Sequence, residues 1–259
     1  MTLTSPSGIA LAALPAVGLA ELEERAALQS RVDRKYLMPV AEADRLVTAL
    51  APYARALEID GIRQFAYESL YFDTPELASY RRTAYRHRRR FKIRTRTYLD
   101  SGSCWLEVKL PGPRGSTVKY RAPHDLGQQH SVDAGRAFVD EVCARHGVRT
   151  GLLTPSLRTA YRRCTLLLPE TGSRVTVDTD LRWTAGDREL CLPGMAIVET
   201  KTGAAASAAD RRLWRGGHRP LALSKYATGL AALRADLPAA PWHRVLRQHF
   251  TPVPEGARP

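Results

Sequence analysis

Hydrophobic and polar positions alternate with a period of two along much of this chain, as they do in strands that bury one face only. The pattern is plainest between Arg86 and Leu110. Arg90, Lys92, Arg94 and Arg96 fall on one face, and Phe91, Ile93 and Thr95 on the other. An Asp100-Ser101-Gly102-Ser103 break reads as a hairpin turn, after which Glu107 and Lys109 share a face opposite Leu106, Val108 and Leu110. The alternation recurs over residues 30–38, where Arg31, Asp33 and Lys35 share a face, and over 62–72, 117–121 (Lys119 and Arg121), 155–168 (Arg163), 174–181 (Arg174, Thr176, Asp178 and Asp180) and 196–202 (Glu199 and Lys201). That makes about eight strands, most with a charged face opposite an apolar one.

Helical periodicity appears over residues 40–50, and Asp73-Thr74-Pro75-Glu76 predicts a helix with Asp73 or Thr74 as N-cap, running to about Thr83. Residues 124–150 read as mostly helical, 208–214 as a short helix, Ser224 as the N-cap of another, and 242–250 as a last amphipathic turn or two. Residues 11–28 predict one or two short helices after a disordered start at 1–8. The expected division is an N-terminal extension at 1–27, a main domain at 28–235, and a C-terminal helix and tail at 236–259. No internal stretch reads as a linker.

A hydrophobic content of 44% and a charged content of 25% are those of a soluble globular protein. The formal net charge of +13 asks for a polyanion: nucleic acid, an anionic membrane surface or a phosphate-rich small molecule. Cys104, Cys143, Cys164 and Cys191 show neither zinc nor redox spacing, so a reduced cytoplasmic protein is expected. The apolar run at 9–20 is too short to cross a bilayer and lacks a basic n-region, so neither a transmembrane segment nor a targeting signal is expected. Lysine is scarce, at Lys35, Lys92, Lys109, Lys119, Lys201 and Lys225 only, and nearly every one sits in a strand-like segment beside another charge. A chain that otherwise uses arginine keeps lysine for particular places.

Eight antiparallel strands can close into a barrel, which removes sheet edges. With apolar faces packed outward on helices, the charged faces point inward and the lumen becomes a cationic tunnel. Like charges crowded in a restricted dielectric destabilise such a lumen unless an anion fills it. A chain of phosphates does so, gripped bidentately by arginine and as point charges by lysine. Carboxylates among these cations, Glu107, Glu199, Asp178 and Asp180, make sense with Mg²⁺ or Mn²⁺ between carboxylate and phosphate.

Eight motifs occur in an order that resembles the polyphosphate polymerase domain of the vacuolar transporter chaperone (VTC) complex, a triphosphate tunnel metalloenzyme of the CYTH-like superfamily. They are Arg31-x-Asp33-Arg34-Lys35-Tyr36, Tyr71-Phe72-Asp73, Arg94-x-Arg96, Glu107-x-Lys109, Tyr161-x-Arg163, Asp178-Thr179-Asp180, Glu199-x-Lys201 and Ser224-Lys225-Tyr226. The resemblance spans about residues 28–232. It implies an α+β fold: a closed, antiparallel, eight-stranded β-tunnel with helices outside, moving the γ-phosphate of ATP onto polyphosphate with Mn²⁺ or Mg²⁺. By position it implies Lys35, Arg94, Arg96, Lys109, Glu199 and Lys225 as catalytic, and Lys119, Arg163, Arg174, Lys201 and Ser224 as phosphate-binding. Glu199 and Glu107 are the implied metal ligands. The first strand departs from the Glu-x-Glu-x-Lys of the thiamine triphosphatase and adenylyl cyclase branch, which turns the expectation away from those activities.

Two alternatives stay open: a hydrolase of triphosphate or short polyphosphate on the same fold, and a non-catalytic module that binds polyphosphate or nucleotides. No specific nucleic acid is expected, because between Arg86 and Arg96 the only aromatic residue available for base stacking is Phe91, on the opposite face. Arg86, Arg88, Arg89 and Arg90 read as a solvated or tunnel-mouth patch. Tyr36, Tyr71, Tyr161 and the four tryptophans read as packing residues, and the histidines have no assigned role.

Overall fold

The computed structural model describes residues 9–25, 32–112, 116–203 and 205–250. Arg31, the tip of the turn at 113–115 and the segment 1–8 lie outside them. In chain order the elements are β1 (Ala16–Val17), α1 (Leu19–Arg25), β2 (Val32–Pro39), α2 (Val40–Leu50), β3 (Arg55–Leu57), β4 (Phe65–Asp73), α3 (Ala78–Ala84), β5 (Lys92–Tyr98), β6 (Ser103–Pro111), β7 (Thr117–His124), α4 (Arg136–Arg145), β8 (Thr154–Leu168), β9 (Ser173–Ala185), β10 (Arg188–Leu192), β11 (Met195–Thr202), α5 (Ala208–Arg215), α6 (Lys225–Leu233) and α7 (His243–His249).

All eight expected strands belong to one sheet, in the order β2-β11-β9-β8-β4-β5-β6-β7, and every pair along this path is antiparallel. Three short strands are additional: β10 pairs antiparallel with the end of β9, β3 pairs with β8, and β1 pairs parallel with β3. Along β5 the apolar positions go outward. Ile93 joins Leu106, Val108 and Leu110 of β6 beneath Val139, Val142 and Cys143 of α4. Tyr36, Met38, Val175, Val177, Ala196 and Val198 pack in the same way under α2 and α5. A third cluster sets Tyr71, Leu157 and Trp183 against α3, α6 and α7. At roughly 25 cal/mol per Å² of apolar surface, these three interfaces carry most of the driving force for folding.

The sheet is open, and here the expectation of a closed barrel is corrected. No ladder joins β2 to β7 among the described residues, which leaves them as the two ends of the path. Both edges are heavily charged, Asp33, Arg34 and Lys35 on one and Lys119 and Arg121 on the other. Juxtaposed cations oppose direct pairing of two strands, and charged edges also discourage pairing with other chains. Residues of both edges nevertheless face one cavity.

A second correction concerns α3. It starts at Ala78, after Leu77 in a left-handed conformation with φ of 59°, and not at Asp73. Asp73 still satisfies the helix start from a distance: Oδ1 accepts from Ser79 N at 2.8 Å, and Oδ2 from Tyr80 N at 2.9 Å and Tyr226 Oη at 2.5 Å. One buried carboxylate thus ties the end of β4 to both α3 and α6. Residues 124–150 are less helical than expected, with the α-helix confined to Arg136–Arg145.

A cationic cavity on the concave face of the sheet

The inward positions of β2, β4–β9 and β11 surround a cavity of about 370 Å³. All six lysines of the chain line it, together with Arg90, Arg94, Arg96, Arg121, Arg163 and Arg174. Glu23, Asp33 and Glu199 are the lining carboxylates. Every residue that the family resemblance marks as catalytic or phosphate-binding is on this wall: Lys35, Arg94, Arg96, Lys109, Lys119, Arg163, Arg174, Glu199, Lys201, Ser224 and Lys225.

Glu107 is not. It is 1% exposed and sits behind Arg94, its Oε2 accepting from Arg94 Nε at 2.9 Å and Nη2 at 2.6 Å, with Lys119 Nζ 3.5 Å from Oε1. Burial pushes its carboxyl up, but Arg94, Arg96, Lys109 and Lys119 together outweigh burial and hold it well below the usual range. With both oxygens engaged by cations it is an anchor, and the expectation of a metal ligand at Glu107 does not fit this geometry. Asp178, fully buried, plays the same part on β9: Arg163 Nε and Nη2 reach its oxygens at 2.5 and 2.8 Å, and Lys225 bonds Oδ2. Asp180, two residues on, is exposed at a left-handed φ of 53° and leaves this inner face.

Close packing behind the wall positions Lys225. Ser224 caps α6, accepting from Ala227 N at 3.2 Å, and the Lys225 carbonyl accepts from Trp183 Nε1 at 2.8 Å. A Cβ at Gly229 would collide with the Trp183 indole, so glycine is required for α6 to approach this closely. On β11, Glu199 is 8% exposed; Lys201 bonds its Oε1, and Lys35, its register partner on β2, lies 3.4 Å from the same oxygen. Burial raises this carboxyl, and Lys201, Lys35 and Arg163 more than reverse the effect.

The β5–β6–β7 wall differs. Register sets Lys92 directly opposite Lys109, and Lys109 directly opposite Lys119. Neither Lys92 nor Lys109 forms an ion pair among the described residues. Burial, reinforced by Lys35, Arg90 and Arg94, brings Lys92 down to about 8. Lys109 falls well below the ordinary lysine value, first through burial and then through Arg94.

Several lining residues had no site role assigned from the sequence. Lys92 and Arg121 sit among the other cations. Thr176, 3% exposed and across the ladder from Glu199, has a buried hydroxyl with no hydrogen-bond partner among the described residues. Tyr161, read from the sequence as packing, is buried but also accepts from Arg96 Nη2 at 2.6 Å, as Tyr71 does from Arg94 Nη1 at 2.9 Å. Burial raises the Tyr161 phenol, yet Arg96, Arg163 and Lys225 together leave it lowered. The restriction of lysine to a few strand positions was the signal that could have found Lys92.

The model of the VTC domain family matches residues 30–234, the stretch that builds nearly all of this cavity. The chain belongs to the VTC domain family. No curated protein matches it. Similar solved structures include the candidate adenylyl cyclase HpAC1 from Hippeastrum, described as revealing a dominant triphosphatase activity, at 16% identity and a TM-score of 0.44 over 76% of this chain and 94% of that one. A conserved hypothetical protein from Pyrococcus furiosus follows at 15% and 0.39, over 73% and 88%. A candidate adenylate cyclase from Vibrio parahaemolyticus stands at 14% and 0.37, over 79% and 86%. Among the described residues of this VTC domain no helix is long and apolar enough to cross a membrane.

Proposed function

We propose that this VTC domain binds ATP and polyphosphate in its cavity and transfers phosphoryl groups between them with Mn²⁺ or Mg²⁺. The observation that carries this reading is the lysine row at Lys92, Lys109 and Lys119, cations set side by side with too few carboxylates to neutralise them. Such a row is relieved by an anion of high charge density with many acceptor oxygens, which describes a phosphoanhydride chain.

Among the described residues no cluster of three or more His, Cys, Asp or Glu side chains could cage a metal. Mg²⁺ is nevertheless commonly held by one or two carboxylates together with substrate phosphates, and Glu199 fits that arrangement. Both of its lysine partners approach Oε1, and no hydrogen bond to Oε2 forms among the described residues. A bound divalent ion would supply charge neutralisation at phosphate oxygens.

The chain's own residues do the positioning. Arg94 and Arg163 are each fixed by two hydrogen bonds to a buried carboxylate, and Arg96 by Tyr161 and Ser69, so their remaining donors are aimed before substrate arrives. Preorganised charge of this kind, with an in-line acceptor, is most of what phosphoryl transfer needs. A nucleophile–base pair is not required.

Incubation with ATP and Mn²⁺, followed by gel separation, tests the reading: a ladder of long polyanion is expected. In the Glu199→Gln variant turnover should fall about 100-fold, the size of effect seen when one charge-stabilising group is lost. Free phosphate alone would reassign the domain as a hydrolase. Binding without either product, unaltered by Glu199→Gln, would make it a binding module.

A further inference from the structure

Between α3 and β5 the chain carries a dense run of cations that the cavity does not absorb. Arg81, Arg86, Arg88 and Arg89 are exposed, and Arg82 and Arg90 are half-buried. None of the six forms an ion pair with a carboxylate among the described residues, whereas Arg145, for example, pairs with Glu141 at 2.7 Å.

This run is a built turn. Arg86 takes a left-handed φ of 56°, and His87 N donates to Arg82 O at 2.8 Å across it. Arg82 Nη1 donates to Arg89 O at 3.2 Å, and Arg90 Nη1 to His87 O at 3.3 Å. The Arg82 guanidinium also lies 5.6 Å from the Phe91 ring centre. The backbone of the turn is therefore held by its own hydrogen bonds, with Arg86, Arg88 and Arg89 exposed along it.

The turn is continuous with the cavity. Thr83 and Arg90 both belong to the cavity wall, and Arg90 begins the inward series Arg90, Lys92, Arg94, Arg96. Inward residues on a strand are about 6.6 Å apart, so cations follow one another without a gap from the exterior turn to the inner wall. A compact triphosphate has no use for the outer part of that series. A long phosphate chain does.

We propose that the arginine turn at residues 81–90 is an exterior binding track for long-chain polyphosphate, gripping the length of chain that extends out of the cavity past Arg90. The proposal rests on the phosphate reading of the cavity. It adds a site outside the cavity and a preference for chain length. The same charges would attract an anionic membrane, but continuity with the inner series through Arg90 favours the linear polyanion.

The test compares tripolyphosphate with long-chain polyphosphate by calorimetry or fluorescence anisotropy, on the full chain and on an Arg86→Asn/Arg88→Ser/Arg89→Ser variant; asparagine is chosen at 86 because it tolerates a positive φ. Affinity of the variant for the long chain is expected to drop on the order of tenfold or more, and its salt dependence to flatten, because several linked contacts are lost together. Affinity for tripolyphosphate should be unchanged, and a triple Arg→Lys variant should restore long-chain binding. A full chain that does not bind tripolyphosphate overturns the phosphate reading of the cavity and this proposal with it. A full chain that binds tripolyphosphate, but whose long-chain affinity is untouched by the triple variant, overturns the exterior track alone. Loss of binding to phosphatidylserine vesicles with long-chain binding intact overturns it in favour of a membrane surface.

Discussion

On the wall formed by β8, β9, β11, β2 and the start of α6, cations come with a carboxylate: Arg163 and Lys225 share Asp178, and Lys35 and Lys201 share Glu199. Across the cavity on β5, β6 and β7, Arg94 and Lys119 share Glu107, while Lys92 and Lys109 stand beside them with no such partner among the described residues. A cation bound to a buried carboxylate keeps its position whether or not a ligand is present. A cation without one keeps its unmet demand for an anion. The first wall is therefore organised for geometry, and the second has an affinity that the free protein must carry as a destabilising charge.

The strongest way to break this comparison is to strip the second wall of its one anchor. Glu107→Gln removes the charge beneath Arg94, itself only 5% exposed, and leaves it buried among Lys92, Lys109 and Lys119. Breaking a buried pair by removing one partner costs about 3–5 kcal/mol, which in a domain of this size lowers Tm by on the order of 10 °C. Excess tripolyphosphate should recover much of that loss, since it supplies the missing negative charge. Thermal melts with and without tripolyphosphate measure both. A Tm within about 1 °C of the parent chain would mean that Glu107 does not anchor the wall.

Next in size is the lysine row. Lys92→Met should weaken tripolyphosphate binding by roughly 10-fold while stabilising the free protein by up to about 1 kcal/mol, the range for relieving like charges opposite each other in a sheet. Opposite signs for stability and binding mark a residue kept for its ligand. The pH dependence has the same root. Lys92 titrates near 8 in the folded chain and higher when unfolded, so between those values the unfolded chain holds more protons and stability rises with pH. The groups facing Lys92 are Lys35, Arg90, Arg94 and Lys109, and the lowered Lys109 acts in the same direction. Above pH ~10 the buried tyrosines, among them Tyr67, raised to about 12, oppose the trend. From pH ~8 to ~9.5 the parent chain should gain stability of order 1 kcal/mol relative to Lys92→Met, while its affinity for tripolyphosphate falls. A parallel pH profile for the two chains would remove Lys92 from this account.

Much of this contrast was legible before any coordinates. Alternation at period two is a local property, so all eight principal strands, and the inward set Arg90, Lys92, Arg94 and Arg96, could be read directly. Register is not local. Glu107-x-Lys109 and Glu199-x-Lys201 are the same pattern in sequence, yet the strand opposite the first brings Arg94 against its carboxylate and the strand opposite the second brings Lys35. One glutamate is thereby buried as an anchor and the other left on the cavity wall. Closure of the sheet was unreadable for the same reason, because whether β2 meets β7 depends on curvature accumulated over six intervening strands. The short β1, β3 and β10 carry two, three and five residues, too few for a periodic signal.

The smallest expected effect sharpens the comparison from the first wall. Thr176 of β9 lies across the ladder from Glu199, and its buried hydroxyl has no partner among the described residues. An unmet buried hydroxyl costs free energy, so Thr176→Val, which preserves β-branching and nearly the same volume, should leave stability unchanged or raise it slightly. If the hydroxyl serves a bound phosphate oxygen, the same change removes one neutral hydrogen bond of about 1 kcal/mol and weakens tripolyphosphate binding a few-fold. Thr165, its register partner on β8, also faces the cavity, and Thr165→Val shows whether a loss belongs to the Thr176 hydroxyl or to any threonine of this wall. Equal affinities for the parent chain and Thr176→Val would show that the first wall offers substrate its charged groups alone.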